Sequence, residues 1–157
     1  GTIPGVIGGV GAKLRELDVL GNRFTGSIPS GIATLTQLRT LSLSENELTG
    51  SIPAGLGTDL AQLEFLFLDN NQLMGTLPVF RNEELKELWL MENMLSGTIA
   101  PAFADLKYLF NFYIDGNKFT GTIPPDLCTA TMNSDYSSGN ETSYSESTSS
   151  DEQTPTH

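Results

Sequence analysis

The sequence predicts an α/β repeat fold: a right-handed solenoid with a concave parallel β-sheet and short helical or irregular segments on its convex side. Three observations predict it. Leucines recur at one phase from Leu14, Leu38, Leu63, Leu85 and Leu109, at spacings of 24, 25, 22 and 24 residues. Self-similarity at a fixed period of this length marks a stack of structural units in which each contacts its neighbours. Around Leu41 and Leu43 apolar and polar residues alternate, which gives a short strand with one face inward that pairs with its equivalent in the next unit. Beyond Cys128 spacing and periodicity vanish together.

Each unit reads in order through Leu38, Leu41, Leu43, Asn46, Leu48, Gly50, Ile52, Pro53, Leu56 and Leu60. The leucines supply the core face. Asn22, Asn46, Asn71, Asn93 and Asn117 fall where the chain bends, and a buried carboxamide there can bond backbone groups that the bend leaves unpaired. We therefore expect a buried asparagine ladder with a structural role. Gly26, Gly50, Gly75, Gly97 and Gly121 share another phase, where a side chain would crowd the turn. Ile28-Pro29, Ile52-Pro53, Leu77-Pro78 and Ile123-Pro124 follow, and proline, having no N–H for a ladder, ends each short second strand.

On these residues the chain resembles the plant-specific-type leucine-rich-repeat family, whose mark is the G-x-I-P half of each unit and which includes receptor-like kinase ectodomains and related extracellular proteins. The resemblance runs over residues 1–128. It places a partial repeat at 1–13, where Gly1-Thr2-Ile3-Pro4 is the second half of an earlier unit, and repeats starting at 14, 38, 63, 85 and 109. Two departures stand out. The unit from Leu63 is two residues short after Pro78, and in the next unit Ala100 takes the proline position with Pro101 shifted by one. Both are expected to alter the convex side locally without stopping the sheet. The paired-cysteine caps usual in extracellular members are missing, so a piece cut from a longer protein is expected.

Residues 129–157 are Ser/Thr-rich and acidic and contain no Lys or Arg. Such a segment buries too little apolar surface to offset its ordering entropy, and a disordered tail is predicted. Asn140-Glu141-Thr142 is a glycosylation sequon, relevant on a secretory route. Ser143, Thr148 and Ser149 each precede an acidic residue by three positions, which fits acidophilic phosphorylation of an intracellular chain. Cys128 is the single cysteine, so no internal disulfide forms, and a buried thiol is expected.

With 19 acidic against 8 basic residues and a net charge of −11, the chain is a poor ligand for nucleic acid or an anionic membrane surface. No apolar run is long enough to span a bilayer, so direct membrane insertion of this chain is not expected. His157, the single histidine, lies in the tail, which leaves no nucleophile–base pair and no histidine-based metal site. No cofactor and no metal are expected. The run Gly5–Lys13 superficially suggests a phosphate loop, but Ala12 separates Gly11 from Lys13 and the repeat register assigns Ile7 and Val10 to the core. Glu83, Glu84 and Glu87 cluster as a solvated face.

Strand alternation points Asp18, Ser42, Phe67, Trp89 and Tyr113 outward at one position of successive units. With strands roughly 4.8 Å apart, the three aromatics form a strip on the order of 10 Å long, flanked by Phe65 and Met91. Glu45, Asp69, Asn70, Glu92 and Asp115 form an acidic and amide rim. Phe65, Phe67, Asp69, Trp89, Met91, Tyr113 and Asp115 are the predicted contact set, since an aromatic centre with a polar edge is the anatomy of a protein interface. The competing reading is that the aromatics shield the sheet. The expectation is a non-catalytic module binding a protein or peptide, basic in character, or a glycan, outside the cell or at its surface. A receptor-kinase ectodomain fragment and an intracellular scaffold with a phosphorylated tail are the alternatives.

Overall fold

The computed structural model describes residues 1–10, 13–124, 127 and 140–144, and every strand pair in it is parallel. The first sheet holds β1 (Glu16–Asp18), β3 (Thr40–Ser42), β5 (Phe65–Phe67), β7 (Glu87–Trp89) and β9 (Asn111–Tyr113), in that order. The second runs β2 (Thr25–Ser27), β4 (Glu47–Gly50), β6 (Gln72–Thr76), β8 (Met94–Gly97), β10 (Lys118–Ile123) and β11 (Glu141–Tyr144). Thr2 bridges Thr25 in parallel, so the partial repeat leans on the first full one.

In the first sheet equivalent residues of successive units pair directly: Leu17, Leu41, Leu66, Leu88 and Phe112 form one row. The second sheet is sheared. Gly26 pairs with Leu48, Gly50 with Leu73, Gly75 with Leu95 and Gly97 with Phe119, a lag of two residues from motif equivalence at each step.

Leu38, Leu41, Leu43, Leu48, Leu66, Leu88 and Leu95 are fully buried, and each such side chain contributes roughly 1.5–3 kcal/mol of burial free energy. The ladder follows one rule. The Asn46 carboxamide donates to the carbonyls of Val19 (3.0 Å), Leu43 (3.1 Å) and Ser44 (3.0 Å) and accepts from Phe24 N–H at 3.0 Å. Asn71, Asn93 and Asn117 repeat this geometry. Two members depart from the expected burial. Asn71 is half-buried, and Asn22 is exposed, its amide donating to Val19 and Leu20 carbonyls, because among the described residues no ladder rung precedes it.

The glycine phase has two causes. Gly97 sits at φ 85°, and a Cβ there would lie 3.0 Å from Thr76 Cγ2 of the preceding unit; a side chain would meet both the left-handed backbone and its neighbour.

On the convex side one-turn helices span Ile7–Val10, Ser30–Thr34, Gly55–Thr58 and Pro101–Asp105. The shifted Pro101 opens the last of these, where its missing N–H costs nothing. The shortened unit from Leu63 has no helix between β6 and β7. There Phe80 fills the space, 1% exposed, and buried Asn82 donates to the carbonyls of Leu56 (2.9 Å) and Leu60 (2.8 Å).

Cys128, residues 129–139 and residues 145–157 lie outside the described residues, as do Gly11 and Ala12. At 140–144 the structure departs from the expected unstructured tail: β11 pairs with β10, Glu141 opposite Thr120 through Tyr144 opposite Ile123. Main-chain pairing to an open sheet edge needs no apolar side chain, so the composition of this stretch did not announce it.

Candidate functional site: the aromatic strip of the first sheet

The direct register of the first sheet brings the predicted aromatics together. Phe67 and Trp89 meet edge to face with centroids 4.9 Å apart, and Trp89 and Tyr113 do the same at 5.6 Å. Phe65 stacks on Phe67 at 6.3 Å. All four rings are half-buried, as is Met91. The Trp89 indole N–H donates to Glu87 Oε2 at 3.0 Å, which fixes the ring's orientation from its own strand. Lys86 Nζ lies 5.8 Å from the Phe65 centroid, within cation–π range, while bridging Glu64 at 2.6 Å. Arg39 bridges the same carboxylate at 2.5 Å. The Lys86 hydrogen bond is the main reason Glu64 titrates below the usual carboxylate range, with Arg39 adding to it.

The rim differs from its expected form. Asp115 is half-buried and Glu45, Asn70 and Glu92 are exposed, but Asp69 is 7% exposed. Its carboxylate accepts from Ser44 Oγ and from Asn70 Nδ2. Asp69 lies at the floor of the face, where the small serine at the preceding unit's equivalent position lets the hydroxyl reach its carboxylate.

Sequence reasoning missed what lies on the N-terminal side of the strip. A shallow recess of about 410 Å³ is walled by Phe67 and Trp89 and lined by Glu16, Asp18, Thr40, Ser42 and Glu45. Asp18 is held below the usual carboxylate range by the Leu20 N–H (2.9 Å) and then by Ser42, so it keeps its charge. The signal was present: Asp18 and Ser42 share the phase of Phe67 and Trp89, and where two units carry small or acidic residues beside bulky ones, a step in height follows.

Among the described residues, no group of three His, Cys, Asp or Glu is arranged to hold a metal ion, and no helix is long and apolar enough to cross a membrane.

Comparison with known proteins agrees with this fold. Two profiles described as leucine rich repeat match residues 12–73 and 108–130. The ectodomain of the Arabidopsis receptor kinase HAESA, solved with the peptide hormone IDA and the co-receptor SERK1, is 38% identical at a TM-score of 0.85, over 91% of this chain and 24% of that one. The BIR2 ectodomain from Arabidopsis thaliana is 30% identical at 0.70, over 84% of this chain and 69% of that one. A plant ice-binding protein is 30% identical at 0.78, over 90% of this chain and 46% of that one. No curated protein matches the chain in sequence. A parallel-stranded solenoid with an asparagine ladder and these similarities define a leucine-rich-repeat protein similar to plant receptor ectodomains. The chain belongs to the leucine-rich-repeat family, and it spans about a quarter of the length of the HAESA chain it matches.

Proposed function

We propose that the chain is a non-catalytic recognition module that binds a peptide along the first sheet, outside the cell or at its surface. The observation that carries this is the continuous strip of Phe67, Trp89 and Tyr113 beside an acidic recess. Exposed apolar strips of this kind mark contacts, and four carboxylates at or near the recess, on a chain of net charge −11, favour a Lys or Arg side chain seated against the rings. The HAESA ectodomain was solved with a peptide hormone, which supports a peptide over a glycan. Phe65, Phe67, Trp89, Met91, Tyr113 and Asp115 form the contact set, joined by Asp18, with Asp69 at the floor of the recess. Trp89→Ala is expected to weaken binding of a basic peptide by roughly 2 kcal/mol or more, as buried aromatic anchors do. It should change the melting temperature little, since Leu88 and Leu90 keep the core. Calorimetric titration beside the control Lys107→Ala decides this: normal binding with early melting would make the strip a shield for the sheet.

A second reading rests on the other sheet. On either side of the glycine phase its exposed or half-exposed positions are Thr25 and Ser27, Thr49 and Ser51, Met74 and Thr76, Ser96 and Thr98, Thr120 and Thr122. Nine of these ten carry a hydroxyl, Met74 being the exception, at strand spacing, on a face whose strands begin with the larger side chains of Glu47, Gln72, Met94 and Lys118. The likeness to a plant ice-binding protein favours an ordered-water ligand for this array. Slowed ice recrystallisation by the wild-type chain, abolished by Thr76→Lys with Thr98→Lys but untouched by Trp89→Ala, is the expected pattern; a wild-type chain without effect on ice growth removes the reading.

A further inference from the structure

We infer that Asn140 is the sixth ladder residue and that Asn140–Tyr144 is a capping rung. The carboxamide of the chain's glycosylation sequon is then committed to the fold, and a docked rung and a glycan at Asn140 exclude each other.

The ladder rule identifies the rung. Each ladder asparagine accepts from the N–H two residues after the previous one and donates to the carbonyl three residues before it. Asn117 accepts from Leu95 and donates to Leu90, referred to Asn93. Asn140 accepts from Phe119 N–H at 3.0 Å and donates to the Ile114 carbonyl at 2.8 Å, which is the same rule referred to Asn117. The spacing from Asn117 is 23 residues, inside the range of the other rungs. The strand register repeats as well. Every earlier pairing of the second sheet lags the ladder by two residues, and Thr120 opposite Glu141 keeps that lag.

The rung answers a physical need. Phe119 and Ile114 are fully buried, so water does not reach their N–H and C=O, and buried backbone polar groups require partners. Meanwhile β10 would end the second sheet with an open edge, which β11 covers. The motif's leucine and glycine phases are occupied by Thr142 and Tyr144. The unit thus supplies hydrogen bonds without the core residues of a full repeat, as a polar terminal cap does.

Glycosylation would exchange one Nδ2–H for a bond to the anomeric carbon of a sugar. The pyrophosphate of a lipid-linked glycan donor leaves and the amide proton passes to a base. The attached saccharide would then occupy the space through which Nδ2 reaches Ile114.

The full chain made without glycosylation provides the first test. Asn140→Ala is expected to speed amide exchange at Phe119 at least tenfold and to lower the melting temperature by about 5 °C. Asn140→Asp, which sets a carboxylate oxygen against the buried Ile114 carbonyl in place of the N–H donor, should lose protection at Phe119 as Asn140→Ala does, while Thr142→Val, which destroys the sequon but not the amide, should match wild type. Wild-type exchange and melting in Asn140→Ala overturn the rung. In the chain secreted from a eukaryotic host, any glycosylated fraction should exchange and melt like Asn140→Ala, and a chain left unmodified should behave as wild type. A glycosylated chain that keeps wild-type protection at Phe119 overturns the exclusion.

Discussion

Glu45, Asn70 and Glu92 hold left-handed backbone, at φ 55°, 53° and 52°, immediately before ladder asparagines, where Gly21 and Gly116 stand at 67° and 65° in the outer units. The bend that delivers each asparagine inward demands this conformation, and only glycine takes it without cost. For Glu92 the penalty is about 1–2 kcal/mol. Replacement by glycine recovers it, less roughly 0.5–1 kcal/mol for the greater freedom of the unfolded chain. Glu92→Gly should therefore melt at or slightly above wild type. Glu47→Gly, at an exposed strand position with ordinary backbone, should melt below it. Equal losses in the two variants would show that the bend carries no strain. Two central units thus keep a carboxylate at a position their neighbours give to glycine, and both carboxylates border the face proposed to bind a basic peptide.

At the scale of elements, legibility depended on whether side chains or backbone carried the information. The columns of the first sheet were readable because alternation and repeat phase agree, and Phe67, Trp89 and Tyr113 do meet as neighbours. The two-residue shear of the second sheet was not readable, since it is set by how the backbone turns between the sheets and leaves no mark on residue type. The missing helix after Pro78 was announced by the short spacing, but its replacement by Asn82, whose Nδ2 satisfies two carbonyls while its Oδ1 stays without a bond, depends on a local path no periodicity describes. Asp69 looked like a rim residue because it is charged and points outward. Its burial follows from Ser44 and Asn70, polar side chains in adjacent positions that satisfy it. The rung at Asn140 escaped notice for a related reason: its contribution is one carboxamide and a strand's worth of main chain, and the apolar residues that make a repeat visible are absent.

For the whole molecule, stacking makes stability a sum of unit and nearest-neighbour interactions rather than the property of one closed core. The ladder lets that sum be tested from end to end. Asn93 joins two units, its Nδ2 donating to Leu68 at 3.0 Å and its Oδ1 accepting from buried Leu73 at 2.9 Å. Asn93→Ala leaves both groups unpaired and should cost about 1–3 kcal/mol. Asn22 is exposed, and its bonds run to carbonyls of its own unit, Val19 and Leu20. Asn22→Ala should cost no more than about 0.5 kcal/mol, as exposed substitutions do. If stability were governed by one cooperative core to which each rung contributes alike, the two would fall together. In a nearest-neighbour stack the loss follows how many units a rung connects. Urea unfolding of both variants beside wild type distinguishes these, and equal shifts of midpoint would reject the stacked description.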